Sequence, residues 1–381
     1  MTVRWPMVPL GEIAQPIVRP VMPEPSETYR FVGVKWWGEG AYEFARKLGA
    51  ETAAPVLYRI ERDDIIINKI WARHGSVAVV PPNLDGAVGS AEFPAFKADT
   101  GSVLPRWIHW WSKTKVAWDA CAEASFGSSG KNRIKPADFL RIAVPLPPRD
   151  VQQRIVERLG AVEARLRELT LLRAAREADC QQLLRTLMST DAGVALVPMS
   201  DLVQLREPDV TVDRSATYEF AGVYSFGRGV FRAGTKAGME FAYPRLSRLR
   251  AGDLTYPKLM AWEGALGVVP PECEGCVVST EFPVFKVLQE RVLPEVLDVH
   301  FRNPSIWPQL AGASTGTNAR RRRLNPSNFL AYRFPLPSRS VQEKVAKAYR
   351  MSQDIKRRDQ SIEIEMRATL PALLAETFGS G

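Results

Sequence analysis

Two short segments combine the residue types that neutralise phosphates with those that reach base edges. One is Ser125-Phe126-Gly127-Ser128-Ser129-Gly130-Lys131-Asn132-Arg133-Ile134-Lys135. The other is Ser314-Thr315-Gly316-Thr317-Asn318-Ala319-Arg320-Arg321-Arg322-Arg323. Glycine and small hydroxyl residues let backbone N–H groups approach phosphate oxygens, Lys and Arg neutralise them, and Asn and Arg pair with base edges. A solvated loop kept basic for solubility is the plainer explanation. Nucleic-acid contact is favoured because the basic character recurs while the residues themselves change. A scaffold should repeat, whereas a specificity determinant should diverge.

Two further pairs of segments carry cations beside aromatic rings. Lys35-Trp36-Trp37 stands against Tyr224-Ser225-Phe226, followed by Arg228 and Arg232. Such pairs suit nucleic acid but also ordinary packing at a strand end. Lys69-Ile70-Trp71-Ala72-Arg73-His74 stands against Lys258-Leu259-Met260-Ala261-Trp262-Glu263. The matched lysines suggest a shared phosphate contact. Arg73, His74, Trp262 and Glu263 differ, so they are either base readers or simple surface positions.

Motifs for enzyme chemistry are missing. Gly127 to Asn132 superficially resembles a phosphate-binding loop, but the first glycine of the pattern would fall on Ser125, and Asn132 stands where Ser or Thr is needed. Cys273-x-x-Cys276 is half of a zinc site without a second pair, and Leu84 and Ala87 occupy the equivalent positions, so it reads as a hairpin tip. No Asn/Asp-Pro-Pro-aromatic motif of adenine methylation and no convincing nuclease carboxylate cluster is found. No catalytic residue, metal ligand or cofactor site is therefore expected in this chain.

The elements that position these segments come in two copies. Val8-Pro9-Leu10 returns as Val197-Pro198-Met199, 189 positions on, and the same offset carries Asp64 and Lys69 onto Asp253 and Lys258. It also carries Glu92-Phe93-Pro94 onto Glu281-Phe282-Pro283. After one insertion the offset is 190, and Pro145-Leu146-Pro147 matches Pro335-Leu336-Pro337. Each module opens with β-rich runs such as Asp64-Ile65-Ile66-Ile67, punctuated by Gly and Pro. A helix is expected over Arg106–Ala122, with Trp107, Trp110, Trp111, Trp118 and Cys121 on a core face rather than a base-stacking one. Each module closes with a long helix. Val341, Val345, Ala348, Ser352, Ile355, Asp359, Ile362, Met366, Thr369 and Leu373 follow 4-3 spacing, and Val151, Ile155, Leu159, Val162, Leu166 and Leu169 form a similar stripe. Pro371 is expected to bend or end the second helix early.

The fold class expected is α+β: two β-rich domains separated by a pair of long antiparallel coiled-coil helices, with pseudo-twofold internal repetition. The expected boundaries are residues 1–148, 149–190, 191–338 and 339–378. With 381 residues, 45% of them hydrophobic, the chain can build two cores. Its net charge of +9 makes a polyanion a reasonable partner. The absence of a membrane-length apolar run and a framework-free set of four cysteines suggest a cytoplasmic protein.

A β-rich domain ending in Pro-Leu-Pro, then Val-Gln and a long helix, all occurring twice, resembles the specificity subunit of type I restriction–modification systems. The residues carrying the resemblance are Pro145-Leu146-Pro147-Pro148 with Val151-Gln152-Gln153, and Pro335-Leu336-Pro337 with Val341-Gln342-Glu343. Val8-Pro9-Leu10-Gly11-Glu12-Ile13 also fits. The resemblance spans nearly the whole chain, although Ser338 replaces Pro148 at the second junction. It implies two target-recognition domains reading a bipartite site on double-stranded DNA. It also implies docking of two methyltransferase subunits, which carry S-adenosylmethionine, and of restriction/translocase subunits in the full complex. The competing expectation is an architectural adaptor that bridges partner proteins without reading DNA.

Overall fold

The computed structural model describes residues 5–126, 132–189, 194–313 and 322–379. The chain divides into two compact units: Met1–Leu171 with Ser361–Gly381, and Leu172–Gln360.

In the first unit, a four-stranded antiparallel sheet has the spatial order Ala14–Ile17, Ala95–Ala98, Ile65–Ile67, Val77–Val79. A five-stranded sheet runs Pro20–Val21, Leu57–Arg59, Val88–Gly89, Thr28–Val34, Ala41–Leu48. The second unit repeats both sheets. The first becomes Val203–Arg206, Val284–Val287, Leu254–Thr255, Gly267–Val268. The second becomes Val210–Thr211, Arg245–Arg248, Val277–Ser279, Thr217–Tyr224, Gly229–Ala237. Even the irregularities repeat: the long hairpin shifts register at Phe31/Val32 in one unit and at Phe220/Ala221 in the other. The Cβ of successive strand residues alternates between faces, so such a bulge re-aims the hairpin tip.

The tryptophan-rich segment forms two helices, Pro105–Ser112 and Lys115–Glu123. The expected single helix breaks because the Thr114 hydroxyl accepts the Ala117 N–H and caps a new start. Trp107, Trp110 and Trp111 are fully buried, as core residues should be, while Trp118 is only partly buried. In the second unit His300 takes the place of Trp111, buried with its Nε2 2.9 Å from the Tyr332 hydroxyl.

The long helices are Arg149–Ser189 and Arg339–Phe378. At 41 residues the first measures about 60 Å. The second continues through Pro371, contrary to the expectation of an early end. Its last turns carry Leu374 and Phe378 into the first unit's core, where Phe378 meets Trp107 at 4.6 Å between ring centroids. That burial outweighs one missing backbone hydrogen bond. The second unit's core takes Leu184 from the end of the first helix in the same way. The apolar stripes are thus buried at their ends by the globular cores, not by helix pairing alone: Leu159 lies in the first core and Val345 in the second, whereas Ile355 and Ile362 are exposed. Asp359, a polar member of the stripe, pairs with Arg176 and lies 3.9 Å from Arg173.

The Val-Gln motif has a physical role. Gln152 is completely buried at the first helix start. Its Oε1 accepts the Leu104 N–H (2.9 Å), and its Nε2 donates to the carbonyls of Ser102 (3.0 Å) and Pro147 (2.9 Å). Gln342 repeats the set with Leu293 N–H, Arg291 and Pro337. The Pro-Leu-Pro segments are also pinned, since Ala143–Pro145 pairs with Met7–Pro9 and Arg333–Leu336 pairs with Ala195–Pro198. Among the described residues no helix is long and apolar enough to cross a membrane.

Candidate nucleic-acid interface

The described parts of the three pairs of candidate segments converge on one surface in each unit. The strand Ile65–Ile67 sets the position of Lys69. It is anchored at its start by the buried Asp64, which pairs with Arg19 Nη1 at 2.6 Å and accepts the Glu61 N–H at 2.8 Å. Asp253 does the same in the second unit, with Arg206 Nη1 at 2.5 Å. Arg206 reaches that carboxylate from a different position along the chain than Arg19 does. Burial raises the Asp253 pKa despite the arginine.

After this strand the chain turns sharply. In the first unit the Asn68 Oδ1 accepts the Ile70 N–H (3.0 Å) and starts the turn; in the second, Pro257 holds that place. The Lys69 N–H donates to the Glu92 carbonyl, and the Ile134 N–H donates to the Lys69 carbonyl, both at 3.0 Å. The equivalents are Lys258 N–H to Glu281 (3.0 Å) and Leu324 N–H to Lys258 (2.9 Å). Each basic segment therefore ends hydrogen-bonded to the lysine loop. Arg73 adds a brace: its Nη1 donates to the Asn132 carbonyl at 3.0 Å, and its guanidinium lies over the Trp71 ring.

The aromatic segment joins the same surface. Trp37 has φ of +57°, a left-handed conformation that costs a non-glycine residue on the order of 1 kcal/mol. It is held by its N–H donating to the His74 carbonyl (2.7 Å) and by Gly38 N–H donating to Gly75 (2.9 Å). A Cβ on Gly38 would run into the Ser112 carbonyl. Phe226 repeats the strain at +63°, held by Glu263 (2.8 Å) and Gly264 (3.0 Å). The same strained turn is kept in both units and presents an exposed ring in each.

Around these turns the side chains differ. In the first unit Trp36 lies 5.0 Å from Trp71 and 5.3 Å from His74, and Trp37 packs edge-on to Trp118 at 5.2 Å. Lys35 is exposed and 3.8 Å from Glu39. In the second unit Tyr224 stacks on Phe231 at 3.7 Å, with Arg228 over its other side at 4.5 Å. Trp262 buries its indole Nε1, which has no partner among the described residues, and so does not offer that donor to a ligand in this conformation. Arg232 is tied to Glu219 and to the Glu272 carbonyl, both at 2.5 Å.

Ser128, Ser129, Lys131, Thr315, Thr317, Asn318, Arg320 and Arg321 lie outside the described residues. Arg133 and Arg323, at the described ends of the two basic segments, are exposed. Cys273 and Cys276 are buried in an apolar cluster around a turn, and burial pushes the Cys273 thiol up to about 11. Among the described residues, no group of three or more His, Cys, Asp and Glu is placed to hold a metal ion.

Sequence reasoning matched Glu92 and Glu281 as part of the repeat without assigning them a role. It also missed the left-handed turns, although an aromatic residue followed by glycine in both copies was the available signal.

No protein-family model and no curated protein matches the sequence. Solved structures do match. The HsdS subunit from Thermoanaerobacter tengcongensis is similar at 19% identity with a TM-score of 0.54, over 99% of this chain and 97% of that one. A chain from a structure on complex assembly and conformational transition of the type I R-M system is similar at 19% identity with a TM-score of 0.62, over 99% and 98%. The type I restriction-modification S subunit from M. genitalium gives 11% identity and a TM-score of 0.57, over 100% and 97%. Over essentially its full length, this chain has the fold of type I restriction–modification specificity subunits.

Proposed function

We propose that this chain is the DNA-specificity subunit of a type I restriction–modification system. Each unit reads one half of a bipartite site on double-stranded DNA. The observation that carries this reading is the repeated surface: one backbone framework brings a lysine, a strained aromatic turn and the end of a basic segment together in both units, while the side chains around it diverge. Repetition of the framework fits two DNA-binding surfaces; divergence of the side chains fits two different half-sites.

On this reading the chemistry belongs to partners. Two methyltransferase subunits carry S-adenosylmethionine, and restriction/translocase subunits join in the full complex. The lack of a methyltransferase motif in the sequence supports this division, and the working compartment would be the cytoplasm. Apolar residues exposed on the long helices, such as Leu171 on the first and Met351 on the second, suit protein docking.

The test is selection from a randomised duplex library by the full chain co-purified with its partner methyltransferase. The expected product is a motif of two short defined segments separated by undefined bases. Recovery of unenriched sequence, with binding insensitive to salt, would support the adaptor alternative instead.

A further inference from the structure

Each cationic surface contains one repeated carboxylate. Glu92 Oε1 lies 3.4 Å from Arg133 Nη1 and 3.9 Å from Lys69 Nζ. Its other oxygen is buried and has no hydrogen-bond partner among the described residues. Glu281, 189 positions on, pairs with Arg323, while the Lys258 ammonium turns to the Thr280 carbonyl at 2.9 Å. A negative charge here opposes binding to a polyanion. Stability does not explain its repetition, because Arg133 and Arg323 are exposed and such pairs contribute little in water. Nor is the carboxylate needed to hold the loop, since the Glu92 and Glu281 main chains already make that contact.

What the carboxylate does is restrain a guanidinium. An arginine free to swing binds any phosphate; one restrained through a single terminal nitrogen, as Arg133 is through Nη1 and Arg323 through Nη2, keeps its other N–H groups for the paired acceptors of a base edge. We infer that Glu92 and Glu281 are positioning residues for sequence discrimination: they hold Arg133 and Arg323 for base readout and withhold them from indiscriminate phosphate contact.

This inference rests on the proposed function. Its test uses the full chain with its partner methyltransferase, the duplex recovered by selection, and duplexes with one half scrambled. Glu92→Gln should tighten binding to fully scrambled DNA several-fold. It should also steepen the slope of log K against log salt by about 0.9 for each freed cation. Discrimination should fall about tenfold for one half-site and stay unchanged for the other. Glu281→Gln should do the same to the opposite half. Arg133→Lys and Arg323→Lys keep the charge but remove the fork, so discrimination should fall with the slope unchanged. These two exposed substitutions decide the matter if a glutamine variant melts prematurely. Unchanged slope and discrimination in the glutamine variants, or unchanged discrimination in the lysine variants, overturns the inference. If the parent complex recovers a bipartite motif and the variants read it equally well, only this inference fails. If the parent recovers no motif, the proposed function fails with it.

Discussion

The two units share a backbone and differ in what hangs from it. At the left-handed turn the first unit presents Trp36 and Trp37 beside His74, and the second presents Phe226 beside Glu263, with a Tyr224–Arg228 stack nearby. The cores show the same contrast. His109 is partly buried in the first unit, and its Nε2, itself buried, is unpartnered among the described residues. Its counterpart Asp298 accepts Arg302 Nε and the Tyr349 hydroxyl at 2.5 Å and the Val268 N–H at 3.0 Å. Main-chain pairing and a few buried anchors are enough to specify the fold, so most other positions are free to diverge. Where anchors recur, as with Gln152 and Gln342, they do structural work. Where exposed positions differ around a fixed turn, the proposed function makes them the readers of two different sequences.

Perturbing the shared anchors should have the largest effect and treat the units alike. Gln152→Ala leaves a buried N–H and two carbonyls without their partner, and each such group costs about 1–3 kcal/mol. We expect a loss of about 3 kcal/mol or more in urea unfolding, and a similar loss for Gln342→Ala. A loss confined to one variant would break the equivalence.

Acid should come next. Burial, then Lys113 and Arg106, hold His109 at about 3, and burial holds His300 at about 4. Both are neutral when folded. Below about pH 6.5 the unfolded chain takes up protons that the folded chain refuses, so stability falls as pH falls from there towards the folded values. Each histidine should remove about 2 kcal/mol between pH 7 and pH 5. His109→Phe and His300→Phe should each flatten the curve by about one proton. A slope unchanged in both variants would exclude these histidines as its source.

Surface changes should separate the units. Replacing Arg320, Arg321, Arg322 and Arg323 with Ala should weaken binding of the assembled complex. It should also reduce the salt slope by about 0.9 for each phosphate that is no longer neutralised. An unchanged slope and affinity would make the run a solvated loop. The smallest effect on stability should come from Phe226→Asn, because asparagine tolerates the left-handed backbone. Unfolding free energy should stay within about 0.5 kcal/mol, while affinity for the second half-site alone drops several-fold. Loss of stability without loss of affinity would make that ring a packing element.

The repeat, both β-rich domains and the helices were legible in the sequence because periodicity and matched turn residues are local signals. Cys273-x-x-Cys276 was expected at a hairpin tip, but the flanking strands Gly267–Val268 and Val277–Ser279 lie in different sheets, so the segment is a crossover turn between sheets. The break at Thr114 was not, since a single capping hydroxyl competes with a continuous apolar face. Of the two outcomes expected at Pro371, the early end did not occur, because the proline's cost is local, whereas the compensation, Phe378 on Trp107, comes from residues far apart in the chain. The site was legible in pieces. Three segments were singled out separately, and long-range contacts that no local pattern reveals, such as the hydrogen bonds from Ile134 to Lys69, from Arg73 to Asn132 and from Trp37 to His74, join them into one surface.

The central claim is that each unit reads its own half-site. It is tested most directly by mapping methylated adenines in DNA from cells that carry this chain with its partner methyltransferase, before and after residues 1–148 are exchanged for the corresponding domain of another chain of this fold. The account predicts a bipartite motif in which one half changes and the other stays as it was. A single continuous motif, or a simultaneous change in both halves, would contradict it.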